Sequence, residues 1–264
     1  LKDPSGRLLG GSSLEYNAEA QGKFLVGTEQ GIVVQINTRK KGKAPAETKD
    51  VGAGKHHGPI YDIQRNLTHP KFFMTVGDWS AKIWSEDQKT PLITTPYARS
   101  YLTGGCWSPT RPGVFYTTRM DGTMDVWDIY HRQTAVAYSH KVSDFPLTCI
   151  SVQGSPQGGG GKLTAVGDAS GTVALLEASD SLALPQPHEK GVISSMLDRE
   201  AAREKNLSQR ARELELRAKR AEQAAARAAE AGADGKDDAM EETLRKVDAD
   251  FLAMIKAAEE EEDR

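Results

Sequence analysis

Short segments in which apolar and polar residues alternate recur along the first two thirds of the chain, and they predict β-strands. The clearest case runs from Val114 to Ile129, where an apolar, β-branched run is followed by Asp121-Gly122 and then by a second alternating run. Asp-Gly favours a tight turn between two antiparallel strands. This segment therefore predicts a β-hairpin.

The same pattern of strand, turn and strand occurs four times. The hairpins span residues 24–36, 72–84, 114–129 and 163–176. Their equivalent closing positions are 36, 84, 127 and 176, which gives intervals of 48, 43 and 49 residues. A period of about 40–45 residues with a closing Trp-Asp is typical of WD-repeat propeller blades. We therefore expect a mainly β fold, with about four blades of a larger WD-repeat β-propeller near residues 12–55, 56–98, 99–143 and 144–186.

Blades of this type are held by a hydrogen-bond chain from a histidine through a serine or threonine to a tryptophan, with an aspartate at the turn. We predict these structural roles for six residues: His57, Thr75, Asp78, Trp84, Asp121 and Trp127. Both Trp84 and Trp127 should be buried. Trp79 stands at a turn position where glycine is usual, so its ring should lie at the rim of a blade. It would then be either a partner contact or an ordinary surface aromatic.

The composition changes near His188, after which Ala, Glu, Arg and Lys dominate. This change predicts a long, charged, Ala-rich helix over residues 189–231 that runs away from the propeller. Gly232 and Gly235 predict a flexible break, and residues 232–264 should form an amphipathic helix before an acidic C-terminus. Its apolar residues recur at spacings of four and three: Met240, Leu244, Val247, Phe251 and Met254. Such a stripe needs an apolar cover, so we expect it to contact another subunit, or the chain's own blades if Gly232 and Gly235 form a hairpin.

Composition and charge argue against several classes of protein. The 264 residues carry a net charge of −3, which does not favour nucleic acid or a membrane surface as the main partner. Cys106 and Cys149 are too few for a disulfide framework, and this favours a reducing compartment. Because the chain begins with Leu1 rather than Met, we expect a piece of a longer polypeptide whose missing blades precede Leu1.

Motifs that carry chemistry in other proteins are incomplete here. The glycine-rich stretch 158–162 lacks the Ser or Thr and the helix that follow the lysine of a phosphate-binding loop. His56, His57 and His69 have no further ligands at zinc spacing. No Ser, His and Asp set has the surroundings of an activated nucleophile. We therefore expect a non-catalytic protein without a metal or a cofactor.

Three stretches are specific enough to suggest a family. They are residues 27–31, 76–87 and 106–128, which include Gly-Asp-Trp at 77–79 and Cys-Trp-Ser-Pro at 106–109. These stretches resemble axonemal outer-arm dynein intermediate chains. Residues 189–200 resemble the segment that follows the propeller in that family.

The resemblance implies a seven-bladed propeller that binds the tail of a dynein heavy chain, in a scaffold subunit of the outer arm. It also implies a second intermediate chain and axonemal docking proteins as partners, with assembly in the cytoplasm and residence in the axoneme. Dynein light chains would bind through sequence missing here. The alternatives are a WD-repeat adaptor of another cytosolic complex and a propeller hydrolase, for which the sequence offers no convergent set of titratable residues.

Overall fold

The computed structural model describes residues 6–16, 22–37, 46–49, 54–154 and 160–262. Two compact units divide the chain, Leu1–Lys205 and Asn206–Arg264. The first unit contains four antiparallel β-sheets and the start of a long helix, and the second contains the rest of that helix. The fold is therefore mainly β with a helical tail.

Each sheet is built from consecutive strands that pair in chain order. Sheet I contains β1 (Gly11–Tyr16), β2 (Lys23–Thr28), β3 (Val33–Asn37) and β4 (Ala46–Lys49). Sheet II contains β5 (Ile60–Arg65), β6 (Phe72–Gly77), β7 (Ser80–Ser85) and β8 (Ile93–Thr94). Sheet III contains β9 (Leu102–Trp107), β10 (Val114–Arg119), β11 (Thr123–Asp128) and β12 (Tyr138–Lys141). Sheet IV contains β13 (Leu147–Val152), β14 (Leu163–Asp168) and β15 (Val173–Glu177).

The turn between the second and third strands of every sheet contains a residue with a positive φ angle. Gly31, Gly122 and Gly171 take this role in sheets I, III and IV, with φ of 77°, 80° and 86°. Sheet II uses Asp78, with φ of 49°. Glycine adopts this backbone without a steric penalty, and aspartate tolerates it because its side chain bonds locally. Asp78 Oδ1 accepts hydrogen bonds from Ser80 N and Ser80 Oγ, each at 2.8 Å.

Neighbouring sheets contact one another through their first strands, β1 with β5, β5 with β9 and β9 with β13. Aromatic rings fill the interior. Phe73 stacks on Trp84 with ring centroids 6.2 Å apart, and Phe115 stacks on Trp127 at 5.6 Å. Trp84 and Trp127 are only 1% and 5% exposed. Both tryptophans therefore lie inside their sheets, where the sequence places them.

The long helix begins within the sheet-containing unit. After a short helix, α1 (Asp180–Ala183), the chain forms α2 (Glu189–Glu262). Ile193, Met196 and Leu197 of α2 are 0%, 5% and 0% exposed, in one core cluster with side chains of sheets II and III. We call residues 189–205 of α2 the seated segment. The structure thus differs from the prediction that the helix leaves the propeller at residue 189.

The helix α2 also continues through Gly232 and Gly235, where the sequence predicts a break. A glycine costs about 1 kcal/mol relative to alanine inside a helix. The good helix formers on both sides offset that penalty, so one helix replaces the two predicted over residues 189–231 and 232–264. The side chains of Met240 and Met254 lie outside the described residues.

Candidate functional site

A buried hydrogen-bond chain connects His56 to Trp84 in sheet II. Trp84 Nε1 donates to Thr75 Oγ1 at 2.9 Å, and His56 Nε2 lies 2.8 Å from the same oxygen. The Asp78 carboxylate beside His56 Nδ1 can only accept, so the ring proton is assigned to Nδ1 and the Thr75 hydroxyl donates to His56 Nε2. The proton of His56 is then on Nδ1, which lies 3.3 Å from Asp78 Oδ1. This series of hydrogen bonds connects the β6–β7 hairpin to the loop that precedes β5.

The histidine of this chain is His56, whereas the sequence analysis assigned His57. His57 contributes its backbone N–H, which donates to Asp78 Oδ2 at 2.8 Å. The backbone N–H of His56 donates to Gly31 O at 3.0 Å, and the His56 side chain is fully buried. The His57 side chain is exposed, whereas the His56 ring lies inside the sheet, where it reaches Thr75.

At neutral pH, His56 and Asp78 of this hydrogen-bond chain are each held in one protonation state. Burial lowers the pKa of His56, and the Asp78 carboxylate only partly opposes that effect. Burial alone would raise the pKa of Asp78. The adjacent His56 ring and the hydrogen bonds from the His57 N–H and from Ser80 outweigh burial and hold the pKa of Asp78 well below its usual range. A neutral His56 therefore faces an ionised Asp78.

Sheet III contains the tryptophan half of the same arrangement. Trp127 Nε1 donates to Thr117 Oγ1 at 3.2 Å. Asp121 caps the β10–β11 turn by accepting a hydrogen bond from Thr123 N at 3.0 Å, and its side chain is 40% exposed. These contacts hold the strands of sheet III together.

Exposed aromatic rings cluster where the β6–β7 turn meets the loop before β9. The Trp79 ring is 5.2 Å from the Tyr101 ring, and Tyr101 is 5.9 Å from Tyr61, both in edge-to-face geometry. Trp79 and Tyr61 are 42% and 43% exposed. We call Tyr61, Trp79 and Tyr101 the aromatic rim. Trp79 therefore lies at the edge of its sheet with part of its ring in solvent.

Two sheet faces expose apolar side chains. On β1, Leu14 and Tyr16 are 64% and 59% exposed, and on β15, Val173 and Leu175 are 69% and 67% exposed. The alternate residues of β15 point to the opposite face of the sheet, where Leu176 packs against the core cluster shared by sheets III and IV. Contiguous exposed apolar surface is typical of an interface.

A groove of about 570 Å³ separates the outer parts of sheets III and IV. Tyr116, Met124, Tyr138 and Leu176 are among the residues that line it. The Tyr116 hydroxyl is buried without a hydrogen-bond partner in the described part of the chain, and burial raises the pKa of Tyr116 to about 12. Within the same described ranges, no fourth strand pairs with β15.

The predicted apolar stripe of the tail is uncovered where its side chains are described. Leu244, Val247 and Phe251 are 55%, 61% and 61% exposed. Leu252, beside them, is 63% exposed. This part of α2 therefore presents an apolar surface within the second unit.

Comparison with known proteins gives one family for most of the chain. A profile described as Dynein axonemal intermediate chain 3 WD40 domain matches residues 8–178. This chain belongs to the WD40 family of axonemal dynein intermediate chains. The four sheets described above are therefore a WD40 domain of that family.

Relatives of this dynein intermediate chain are similar over long stretches. It is 44% identical over 261 residues to Dynein axonemal intermediate chain 2 of Rattus norvegicus, covering 98% of this chain and 39% of the relative. It is 44% identical over 208 residues to the 70 kDa dynein intermediate chain of the flagellar outer arm of Chlamydomonas reinhardtii, covering 78% and 35%. Ciliary Dynein intermediate chain 3 of Heliocidaris crassispina is 48% identical over 204 residues, covering 76% and 33%. The chain thus spans about two fifths or less of the length of these relatives.

A solved structure of the computationally designed Ika8 protein aligns with a TM-score of 0.48 and 16% identity, over 66% of this chain and 46% of that one. This similarity is too low to add to the assignment.

Few groups in the described ranges have the chemistry of a reactive site. Across the described ranges, no three His, Cys, Asp or Glu side chains come together as a metal site would require. Burial raises the pKa of the Cys106 thiol to about 12, so its thiolate is scarce at neutral pH. In the part of the chain that the structure describes, no helix is both long and apolar enough to cross a membrane. Gly158 of the glycine-rich stretch falls outside the described residues.

The sequence analysis missed the contact that holds the seated segment. Arg111 Nε lies 2.9 Å from Glu189 Oε2, and Arg111 Nη1 lies 3.0 Å from Asp128 Oδ2. Arg111 and Glu189 are each 1% exposed at the side chain. Gly113 N donates to Glu189 Oε1 at 3.3 Å, and Arg111 Nη1 donates to Ser181 O at 2.8 Å. We call Arg111, Asp128 and Glu189 the arginine cluster.

Proposed function

We propose that this chain is a non-catalytic scaffold subunit of an axonemal dynein. In this proposal its WD40 domain binds the tail of a dynein heavy chain and helps to assemble and anchor the outer arm. The observation that carries the proposal is the aromatic rim. Its Trp79 and Tyr61 rings are partly exposed, whereas Trp84 and Trp127, which hold sheets II and III together, are buried. Partly exposed tryptophan and tyrosine on a rigid frame are typical of binding hot spots.

The relatives are named as axonemal, ciliary and flagellar outer-arm dynein chains, which supports the axoneme of a cilium or flagellum as the site of action. Assembly would take place in the cytoplasm. The further partners in this proposal are a second intermediate chain, axonemal docking proteins, and light chains bound through sequence outside this chain. Neither nucleic acid nor a membrane is a partner in it.

The four sheets would be consecutive blades of a larger propeller. The exposed apolar faces of β1 and β15 support this arrangement, because further blades would bury them. A further strand paired with β15 would also cover the groove between sheets III and IV. Such a strand could supply the hydrogen-bond acceptor that the Tyr116 hydroxyl lacks.

The tail would bind a second protein surface of the motor. The exposed stripe of Leu244, Val247 and Phe251 supports this, since an apolar stripe left bare favours aggregation. Met240 and Met254 would extend the stripe by its spacing in the sequence. Another subunit is the partner that we propose for this face.

Affinity purification from ciliated cells tests the proposal. A tagged chain should recover a dynein heavy chain, and Trp79→Ala should reduce that recovery at least about fivefold, as expected for loss of a hot-spot residue worth about 1 kcal/mol or more. Leu67→Ala is the matched control, because Leu67 is also exposed, at 60%, in a turn at the opposite end of sheet II. Unchanged recovery with Trp79→Ala would remove the aromatic rim from the interface.

The alternative function is an adaptor of another cytosolic complex. The same purification separates the two, because an adaptor would recover a set of proteins without dynein heavy chains. Recovery of that kind would overturn the dynein proposal.

A further inference from the structure

We propose that the arginine cluster is a register lock for α2. In this role, the buried ion pair selects one position of the seated segment along its groove on sheets II and III. The apolar side chains supply most of the adhesion, and the charged groups decide which residue of the helix stands where.

The apolar contacts alone leave the register open. Ile193, Met196 and Leu197 are spaced so that they share one face of the helix, and their contacts with the sheets are non-directional. If α2 slides so that each residue takes the place of the residue four positions later, Val192, Ile193 and Leu197 take the places of Met196, Leu197 and Ala201, and these three positions stay apolar. Ala201 already packs against the same cluster.

The arginine cluster does not tolerate the same slide. In that slide Glu189 would leave Arg111 and take the buried place of Ile193. The buried guanidinium would then lose the carboxylate 2.9 Å from its Nε, and the Gly113 N–H would lose its acceptor. A buried charge without its partner is strongly unfavourable, so the arginine cluster excludes this register.

Three weaker contacts along the seated segment can report the register. Gln133 Nε2 donates to Met196 Sδ at 3.1 Å, and Gln88 Nε2 lies 3.5 Å from Ala201 O. Thr90 Oγ1 donates to Glu204 Oε1 at 2.8 Å. The last pair brings two side chains together far from Arg111, which makes position 90 a suitable place for a cross-linking probe.

Cysteine cross-linking in the full chain tests the lock. In a Cys149→Ser background, Thr90→Cys is paired with a cysteine at one of three positions spaced by one helical turn: Glu200, Glu204 or Ser208. With the arginine cluster intact, the 90–204 cross-link should exceed each of the other two at least about tenfold, which corresponds to a single dominant register. Comparable yields at all three positions in this parent protein would overturn the proposal.

The decisive variant is the double change Arg111→Met with Glu189→Met. Replacing both members of a buried ion pair by apolar residues preserves stability in many proteins, whereas removing one member does not. We expect the double variant to fold and to form cross-links at positions 200 and 204 with yields within about threefold of each other. A double variant that keeps the tenfold preference for position 204 would overturn the proposal.

Two further variants complete the experiment. If the double variant does not fold, Glu189→Gln keeps the shape of the side chain and leaves Arg111 its Asp128 partner, and the same redistribution is expected. A folded Glu189→Gln protein that retains the tenfold preference would count against the lock. Lys219→Met with Glu215→Met is the matched control, because that pair is exposed at 62% and 65%, and its loss should leave the cross-links unchanged.

Discussion

Replacing Thr75 by valine should destabilise the WD40 domain more than the equivalent change in sheet III, Thr117→Val. Valine keeps the branched shape of threonine but lacks the hydroxyl. Thr75 is fully buried, and its oxygen connects Trp84 Nε1 to His56 Nε2. The change therefore leaves two buried polar atoms without partners. Thr117→Val leaves one, the Nε1 of Trp127.

The expected magnitudes follow from this difference. Each buried polar group left without a partner costs about 1–3 kcal/mol, which gives about 2–6 kcal/mol for Thr75→Val and about 1–3 kcal/mol for Thr117→Val. In a domain of 150–250 residues, a loss of 1 kcal/mol lowers the melting temperature by about 2–4 °C. Thr75→Val should therefore melt at least about 4 °C below the parent protein and also below Thr117→Val.

Tryptophan fluorescence is the appropriate assay for these melting curves. All four tryptophans of the chain lie at residues 79, 84, 107 and 127, so their signal follows sheets II and III and not the helical tail. Thr75→Ser is the control, because it retains the hydroxyl and should recover much of the loss. The reasoning fails if Thr75→Val melts at or above the temperature of Thr117→Val, or if serine and valine at position 75 are equally destabilising.

Three other predictions follow from buried or exposed positions. Burial raises the pKa of Asp62, so the folded chain holds that proton more tightly than the unfolded chain, and this contribution to stability is lost as pH rises through the folded pKa. In urea titrations, the free energy of unfolding of Asp62→Asn should therefore increase relative to that of the parent protein as pH rises from 4 to 7. A difference that does not change with pH would contradict this. Gly113→Ala adds a methyl group 3.0 Å from Glu189 Oε1 and from Ile193 Cδ1, so it should lower the free energy of unfolding by about 1–3 kcal/mol. Trypsin should then cleave the seated segment faster, and unchanged cleavage would contradict close packing. Phe251→Asp should leave the fluorescence melting curve unchanged and reduce recovery of the motor complex, because Phe251 is 61% exposed in this chain; full recovery would show that the face has no partner.

Strand positions were predictable because two local signals agree in each hairpin. In β10 and β11 the apolar run, the alternating run and the Asp-Gly turn between them agree on one register, with Val114 opposite Asp128 and Thr118 opposite Met124. A slip by one residue would turn every side chain of a strand to the other face. When the connecting turn is short, the pattern of apolar and polar residues therefore predicts both where the strands lie and which of their residues pair.

The choice between His56 and His57 could not be made from local signals. Both residues lie within reach of the β6–β7 turn, and both in fact contact Asp78, one by its ring and one by its backbone N–H. The backbone hydrogen bond from His56 N to Gly31 O decides which side chain turns inward. That bond joins the β2–β3 turn of sheet I to the loop before sheet II, so it depends on packing between sheets.

At Gly232 and Gly235 in α2, by contrast, a local signal was given too much weight. Gly232 and Gly235 are breakers by propensity, but propensity is a sum over the whole segment, and about 1 kcal/mol for each glycine is small against a long run of Ala, Glu, Lys and Arg. A glycine ends a helix when a capping conformation or a new contact gives the chain a better alternative. The sequence around residue 235 provides neither a proline nor an apolar capping partner.

The seating of α2 was missed because periodicity identifies a buried helix face but not the surface that covers it. Ile193, Met196 and Leu197 have the spacing of such a face, yet their cover lies in sheets II and III, and Arg111 is 78 residues from Glu189 in sequence. Glu189 carried the missing information. It stands four residues before Ile193, on the same face, and a carboxylate placed in an apolar interface must be matched by a cation. Because the helix dipole also favours acidic residues in a first turn, Glu189 indicates a cationic partner only in combination with the apolar face that it begins.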